Sequence, residues 1–508
     1  MWTMSTSIKN ENDGHRPHEA NVADAKGSVI MDFIPIVIFW SFAIWGLVSP
    51  RPVLLYLFFA SMSFGSFAAV PPGFTGGLTF TPTPMVALLL IVRNLGGIRA
   101  IEGAIGLATK PQRLMLLSTF WVMSVFTTIF MPRLFAGKVE VVPMRAETPI
   151  LAVPLQPTTQ NISQMAYLTI SVFAVFAFTR MLRSPEIRAH AIQAMAFGAI
   201  ITVATGIIDF ASNFLPLKPF LEPFRTATYA LLTDVEVLDT KRVVGLMPEA
   251  SSFGSLSLGF LANLYFFKRS IRDQFLKQKL VPIILVFLII MVWLSTSSAA
   301  YLGLAILSAM VVIEWFWRVT FLKRLHPSRR GTGLEFMLFA VVCSACCAVL
   351  LFQSSLLDPL LAMVDRMVFQ KTASSSFEER GMWTAVAWQA FLDTYGLGVG
   401  VGGARASNSM VAVFSNTGLL AGLCYYGFVA LSFLRQANSK DRIGSIMMSS
   451  YRWSFIPSFL IGLLIGTGVD FGLFSAFRYG LVLAVSLAVP LSRSNLNYDV
   501  LYEKRTSY

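Results

Sequence analysis

Long apolar stretches recur along almost the whole chain, separated by shorter polar segments. A helix needs roughly 17–25 mainly apolar residues to cross the hydrocarbon core of a bilayer. The pattern therefore predicts about twelve or thirteen spanning helices, and the predicted fold class is an all-α polytopic membrane protein. The predicted spans are 29–48, 52–70, 78–92, 114–131, 164–182, 190–208, 250–267, 280–297, 298–317, 334–353, 408–431, 453–469 and 474–491.

The same pattern predicts one transmembrane domain, residues 29–491, between two polar tails. Residues 1–28 are polar and mixed in charge, and no short apolar run with a small-residue cleavage site precedes the first span. We therefore expect the first span itself to target the chain to the membrane. Residues 492–508 form the C-terminal tail.

Composition and charge indicate the class of the protein and its orientation in the membrane. Of the 508 residues, 55% are hydrophobic and 13% are charged, and the mean hydropathy is +0.66, which excludes an ordinary water-soluble protein. The formal net charge of +13 comes mainly from short basic loops, which are typical of the cytoplasmic side. We interpret the charge as a topology signal and expect no nucleic-acid partner. The basic loops are 93–113, 180–188, 268–279, 318–330 and 435–452, and the C-terminal tail is expected on their side.

The remaining loops are expected outside the cytoplasm: 132–163, 209–249, 354–407 and a short corner at 470–473. The first of these is rich in proline and predicts an extended, irregular cover without chemistry of its own. The position of the N-terminus stays open. It lies outside if 29–48 and 52–70 both cross the membrane, and inside if one of them is re-entrant.

The second outer loop ends in KRVVGLMPEASSFGS, residues 241–255, and holds a cation and a carboxylate, Arg242 and Glu249, where the chain re-enters the membrane. Pro248 suits the first turn of a helix, and a helix N-terminus favours anions. The pattern is equally typical of an interfacial arginine beside lipid headgroups and a glutamate that completes a helix start. Both interpretations stay open for Glu249.

The third outer loop predicts an amphipathic or interfacial helix over 380–392, opened by Glu378 and Glu379. The glycines that follow it, Gly398, Gly400 and Gly403, have the G-x-G-x-x-G spacing of a dinucleotide-binding turn. That interpretation is rejected, because the turn follows a helix, no buried strand precedes it, and no acidic residue lies about 20 positions downstream.

A different function suits the glycine-rich segment 396–409. Glycines let a backbone approach a bulky anionic headgroup, and Arg405, Ser407 and Asn408 would supply charge and hydrogen bonds to it. Arg380 in the same loop strengthens this interpretation, because arginines at a membrane edge are costly. Tight helix packing is the alternative explanation of the glycines.

Four cysteines complete the candidate chemistry. Three of them, Cys343, Cys346 and Cys347, fall within a predicted span without an adjacent histidine or carboxylate. We interpret them as packing residues and expect neither a metal site nor a disulfide framework.

Three segments together resemble one known family. They are GLMPEASSFGSL (245–256), LSTSSAAYLGL (294–304), and the Arg–Trp helix, glycine turn and G-L-L-x-G helix start of 379–423. In their order and expected sidedness they resemble the Wzy-type polysaccharide polymerase and O-antigen ligase superfamily of bacterial inner-membrane proteins. The resemblance spans roughly residues 85–490.

The resemblance implies a GT-C-like helical glycosyltransferase whose extracytoplasmic loops carry the site. Its donor would be a glycan on undecaprenyl diphosphate, and it would use no metal or other cofactor. Arg242 and Arg380 match family arginines that hold the diphosphate, and Arg405 matches an arginine of exopolysaccharide-polymerase-like members. Glu249 is our hypothesis for the catalytic base, with Glu378 or Glu379 behind it.

One departure bears on the activity. Ligase-type members carry a His-Asn pair where this chain has Ser407-Asn408, and often a Glu where it has Asn416. The expectation is therefore a polymerase of lipid-linked repeat units at the outer face of the inner membrane, working beside a flippase and a chain-length regulator. The alternatives are a ligase of finished glycan and a flippase or transporter of lipid-linked oligosaccharide. The histidines all lie elsewhere, at His15, His18, His190 and His326.

Overall fold

The computed structural model describes most of the chain. The described residues are 20–75, 79–144, 151–229, 231–233, 236–237, 240–321, 329, 331–333, 335–337, 340–341, 344, 375–438 and 441–488. The predicted span 334–353, its three cysteines and both tails beyond these limits lie wholly or largely outside the described residues.

The described chain is mainly helical. In chain order its helices are α1 (Ala20–Val48), α2 (Val53–Ser61), α3 (Pro82–Leu95), α4 (Ile98–Ala108), α5 (Met115–Leu134), α6 (Thr159–Met181), α7 (Pro185–Ala211), α8 (Lys218–Leu221), α9 (Ala250–Phe267), α10 (Val281–Leu294), α11 (Ser298–Phe321), α12 (Ser375–Asp393), α13 (Ser409–Thr417), α14 (Leu419–Leu434), α15 (Arg442–Ile465) and α16 (Gly472–Leu487). Two short antiparallel hairpins pair β1 (Glu140–Val141) with β2 (Val153–Pro154), and β3 (Glu236–Val237) with β4 (Thr240–Lys241).

Five of these helical segments are long and apolar enough to cross a membrane: α5, α6, α7, Leu276–Leu294 and α11. The count becomes six if α3 and α4, which meet at 102°, form one broken span. Shorter apolar helices cover Phe33–Val48, Leu419–Leu434 and Leu473–Leu487. The helical, multi-pass class is thus supported, whereas only part of the predicted spans appear as single long helices.

The span predicted at 52–70 is a short helix followed by irregular chain. Helix α2 has nine residues and is about 13 Å long. The chain beyond it continues towards the segment before α9, where the Ser66 amide donates to the Leu246 carbonyl at 2.9 Å. At its other end, α2 follows α1 after a short turn. The end of α1 lies beside the end of α3, because Arg93 on α3 donates to the carbonyls of Gly46 and Ser49, both at 2.6 Å. If the loop after α3 is cytoplasmic, as its charge predicts, α1 therefore begins on the outer side.

Two other predicted elements are also interrupted. The basic loop 93–113 contains α4, whose Ile98, Ile101 and Ile105 are exposed along one face. The span predicted at 408–431 breaks between α13 and α14 at Gly418, which has φ +84°. A Cβ at that position would lie 2.5 Å from the Leu397 carbonyl oxygen, so glycine is required there.

The core lies between α2, α6, α7, α9 and α16 and is rich in phenylalanine. Phe59 and Phe477 meet edge to face with ring centroids 5.0 Å apart, and Phe58 meets Phe178 at 5.1 Å. Gly198 lets α7 approach α2 closely, because a Cβ there would lie 2.6 Å from the Phe59 carbonyl oxygen. Small residues at helix contacts are typical of membrane bundles.

Two outer loops pack on one another rather than cover the surface separately. A second, smaller core joins the β1–β2 hairpin to α12 and the 394–408 segment through Val141, Leu155, Ala390, Val399 and Ala406. The predicted irregular cover at 132–163 therefore includes a small hairpin. This packing holds the candidate loop 394–408 against the end of the helix bundle.

Candidate functional site

A buried carboxylate holds the segment that leads into α9. Asp209, at the end of α7, is 1% exposed and accepts hydrogen bonds from the backbone amides of Val244 and Gly245 at 2.8 and 3.0 Å. It also forms ion pairs with Arg225 at 3.0 Å and Lys241 at 3.8 Å. These contacts determine where residues 241–249 lie, although the sequence singled out neither Asp209 nor Arg225.

Arg242 contacts the hairpin between α10 and α11. Its Nε donates to the Ser295 carbonyl at 3.3 Å and to Thr296 Oγ1 at 3.0 Å, and its Nη2 donates to the Thr296 carbonyl at 3.1 Å. Thr296 has φ +43°, a conformation that a β-branched residue rarely adopts, so Arg242 helps to hold this turn. Its Nη1 has no hydrogen-bond acceptor among the described residues.

Glu249 is the N-cap residue of α9, which begins at Ala250 rather than at Pro248. Its carboxylate does not cap the helix amides. Instead, Oε1 accepts hydrogen bonds from the hydroxyls of Ser251 and Ser252. Within the described part of the chain, Oε2 has no hydrogen-bond donor, so one carboxylate oxygen remains able to accept a proton.

The predicted helix over 380–392 is confirmed as α12, and it presents Arg380 and Trp383 beside the glycine-rich loop. The Arg405 guanidinium stacks on the Trp383 ring with its carbon 3.7 Å from the ring centroid. Thr384 connects the two elements: its hydroxyl donates to the Arg380 carbonyl at 2.9 Å and accepts from the Ser407 amide at 3.0 Å. The Arg405 amide donates to the Val142 carbonyl at 2.8 Å.

These elements bring five of the predicted charged residues within electrostatic reach of one another. Burial lowers the pKa of Arg405, the neighbouring Arg380 lowers it further, and Glu249 and Glu379 oppose the shift. Burial also lowers the pKa of Arg242, and Glu249 opposes that shift. Among the described residues, neither Arg380 nor Arg405 forms an ion pair or a side-chain hydrogen bond. Two guanidinium groups within electrostatic reach of one another, and in no ion pair among the described residues, favour binding of an anion.

Gly400 and Gly403 make close packing contacts within the protein. Both are buried, and Gly400, with φ +86°, is pressed against α5, since its Cβ would lie 2.9 Å from Pro132 Cγ. A Cβ on Gly403 would lie 2.6 Å from the Val399 carbonyl oxygen of its own loop. Both glycines therefore permit close packing, and their predicted contact with a headgroup stays a prediction. The close contacts with α5 are long-range and are not visible in a local motif.

Ser407 and Asn408 are engaged mainly by the protein. Ser407 is 8% exposed. Asn408 caps α13, and its Oδ1 accepts from the amides of Met410 and Val411 at 2.9 and 3.1 Å. Asn416 exchanges hydrogen bonds with the backbone of Ala404 at 3.1 and 3.0 Å, which fixes the chain beside Arg405. These polar residues thus hold the loop that carries the arginine.

Fold and site together define a helical, multi-pass membrane protein whose loops gather a glutamate and arginines that form no ion pair among the described residues. The chain matches no known family model, and no curated protein sequence resembles it closely enough to count as a relative. Its function is therefore argued from the residues themselves and from the motif resemblance described above.

Proposed function

We propose that this chain is a membrane glycosyltransferase that polymerises lipid-linked repeat units. The donor would be a glycan on undecaprenyl diphosphate, and the reaction would take place at the outer face of a bacterial inner membrane. The observation that carries the proposal is the Arg405 guanidinium, which stacks on Trp383 within electrostatic reach of Arg380, while neither arginine forms an ion pair among the described residues. The Trp383 ring orients one of these guanidinium groups.

The proposed chemistry follows from the charge that develops during transfer. An acceptor hydroxyl oxygen attacks the anomeric carbon while the bond from that carbon to the diphosphate oxygen breaks. Negative charge then grows on the leaving diphosphate, and Arg380 and Arg405 stabilise it through paired N–H donors in a partly dehydrated site. The proton of the acceptor hydroxyl passes to Glu249, whose Oε2 remains without a donor in the described structure.

Arg242 has a positioning function in this scheme. It contacts the α10–α11 hairpin and lies within electrostatic reach of Glu249, so it holds the base near the two arginines. Its free Nη1 is available to the same diphosphate.

Polymerisation is preferred to ligation because of Ser407 and Asn416. A ligase-type histidine is replaced by a buried serine, and the position that is often Glu in ligases is an asparagine bonded to the Ala404 backbone. Neither residue can serve as a general base near neutral pH. The nearby carboxylate of Glu249 is therefore the candidate base of the proposed reaction.

The test is a gel profile of polysaccharide and lipid-linked intermediates in cells that lack the chromosomal copy of this chain. Complementation with wild type should restore polymer, whereas Arg380→Ala and Glu249→Gln should leave single lipid-linked repeats. Arg133→Ala is the matched control, because Arg133 is an exposed arginine that ends α5 near the same loops. It should restore polymer fully.

Other outcomes would overturn parts of the proposal. Normal-length polymer that accumulates on its lipid carrier would mean ligation. Repeats trapped on the inner leaflet would mean a flippase or transporter. Unchanged polymer in Arg380→Ala would remove Arg380 from the site.

A further inference from the structure

A second polar cavity of about 420 Å³ lies apart from Arg380 and Glu249, between α13, α14, α15 and α16. Ser409, next to Asn408, lines it on one side, and the 466–471 corner closes its outer end. Its lining differs from that of the two larger cavities, of about 690 and 530 Å³, which consist largely of apolar side chains facing α1–α2 and α3–α6. This cavity instead contains hydroxyl groups, a cation and the carboxylate of Asp470, which accepts a hydrogen bond from the Gly472 amide at 3.0 Å.

The cation is Arg478 on α16, which is 6% exposed and lines the cavity. Its Nη1 donates to Ser458 Oγ at 2.9 Å, and its Nη2 donates to Ser475 Oγ at 3.0 Å. Its Nε is buried and has no hydrogen-bond partner in the described structure. The rings of Phe455 and Phe474 lie 5.8 and 6.0 Å from the guanidinium carbon.

Asp470 lines the same cavity but forms no ion pair with Arg478, and neither does any other carboxylate among the described residues. A buried cation whose partners are only neutral hydroxyls and carbonyls retains most of its desolvation cost. An ionisable side chain inside a membrane domain is a sign of function. A negatively charged ligand would supply the ion-pair partner that Arg478 lacks among the described residues.

The remaining lining suits a sugar. Tyr425, Tyr426 and Tyr479 contribute aromatic rings, and Phe459 and Phe471 add two more. Flat aromatic surfaces beside hydroxyl groups and an amide, here that of Gln164, can contact both the apolar face and the hydroxyls of a pyranose ring. The volume lies within the roughly 300–1,000 Å³ typical of small-molecule sites.

We propose that this cavity binds a sugar unit bearing a carboxylate, with the carboxylate on the Arg478 guanidinium. The inference rests on the proposed function in that it places one glycan unit at a second site, beside the start of α13. It implies that the chain selects acidic glycans.

The test measures binding to the purified full-length protein in nanodiscs by titration calorimetry. The ligands are cellobiouronic acid and cellobiose, which differ by a carboxylate in place of a hydroxymethyl group. Wild type should bind the acidic disaccharide about tenfold or more tightly, as expected for a hydrogen-bonded ion pair. Arg478→Gln should abolish that preference, and Arg478→Lys should restore part of it.

Two further variants keep the test decisive if Arg478→Gln does not fold. Ser475→Ala removes one partner of the guanidinium and should reduce the preference. Gly462→Leu places a side chain in the cavity and should weaken binding of both disaccharides.

Arg380→Ala should abolish polymerisation and leave disaccharide binding unchanged, so failure of this inference and failure of the proposed function are distinguishable.

Equal affinities for the two disaccharides, or binding of neither, would overturn the proposal. So would a co-purified phospholipid that the Arg478→Gln protein no longer retains, because the cavity would then hold a lipid headgroup.

Discussion

At the scale of single residues, the charges of this protein fall into two groups. Asp209 and Arg225 are buried and paired, with 1% and 4% of their side chains exposed. Arg380, Arg405 and Arg478 lack such ion pairs among the described residues. A paired buried charge mainly stabilises structure, whereas an unpaired one is costly unless a ligand completes it. This difference separates the positioning residues from the candidate binding residues.

Asp209→Asn should destabilise the protein strongly, because it leaves the buried Arg225 without its buried charged partner. Breaking such a pair costs about 3–5 kcal/mol. Thermal unfolding in detergent should show a clear fall in Tm. Glu222→Gln is the matched control, since Glu222 pairs with the same Arg225 but is 62% exposed, and such a pair contributes at most about 1 kcal/mol.

Trp383→Ala should weaken donor binding by roughly two- to thirtyfold, the range expected when a cation–π contact of about 0.5–2 kcal/mol is lost. The measurement is the KM for lipid-linked donor in membrane vesicles. Trp383→Phe keeps an aromatic face, so its KM should lie between those of wild type and Trp383→Ala. An unchanged KM in Trp383→Ala would mean that stacking on Trp383 does not orient Arg405 for the donor.

Asp470, in the corner between α15 and α16, should make stability depend on pH. Burial raises the pKa of its carboxyl from 3.8 to about 6, because the charged form is poorly solvated. Its protonated form favours the folded state, so its contribution is complete below about pH 4 and is lost as the pH rises through about 6. The Tm of wild type should fall over this range relative to that of Asp470→Asn. Parallel Tm curves for the two proteins would refute the assignment.

At the scale of elements, the candidate site depends on interrupted helices. Helix α12 ends in a left-handed turn at Tyr395 and Gly396, and the break at Gly418 lets the Leu419 amide donate to the Gly396 carbonyl at 2.8 Å. Ideal uninterrupted helices would lack these close backbone contacts. The loop that carries Arg405 is therefore held by backbone geometry as well as by side chains.

Gly418→Ala should lower both stability and activity, because a Cβ there meets the Leu397 carbonyl and φ is +84°. Gly259→Ala on α9 is the control, since no atom lies within 4 Å of its added Cβ. That change should be neutral or slightly stabilising by helix propensity. The two variants are compared by Tm and by polymer length, and equal behaviour would contradict the packing argument.

At the scale of the whole molecule, the described parts of the basic loops and the candidate site lie at opposite ends of the helices. The positive-inside rule would place the site outside the cytoplasm. This arrangement suits an activity on lipid-linked glycans, which must be reached from the membrane and extended into water. The buried Arg188–Asp441 ion pair, at 3.0 Å, joins α7 to α15 at the basic end.

Sidedness can be measured by cysteine labelling in a variant whose four native cysteines are replaced. Tyr395→Cys, at an 88% exposed position, should react with an impermeant maleimide in intact cells with a permeabilised outer membrane. Ile98→Cys, at a 79% exposed position on α4, should react only after the inner membrane is opened. The reverse result would invert the predicted topology.

The sequence by itself determined the helical membrane class, the helix at α12 and the charged residues worth examining, because hydrophobic periodicity and residue type are local properties. Tertiary structure alone decided that Asp209 holds the α9 entry, that Gly400 and Gly403 pack against α5 and their own loop, and that Arg478 lines a cavity without an ion pair in the described part of the chain. Such features arise from contacts between residues far apart in the chain. A local motif cannot encode which distant backbone or side chain will meet it.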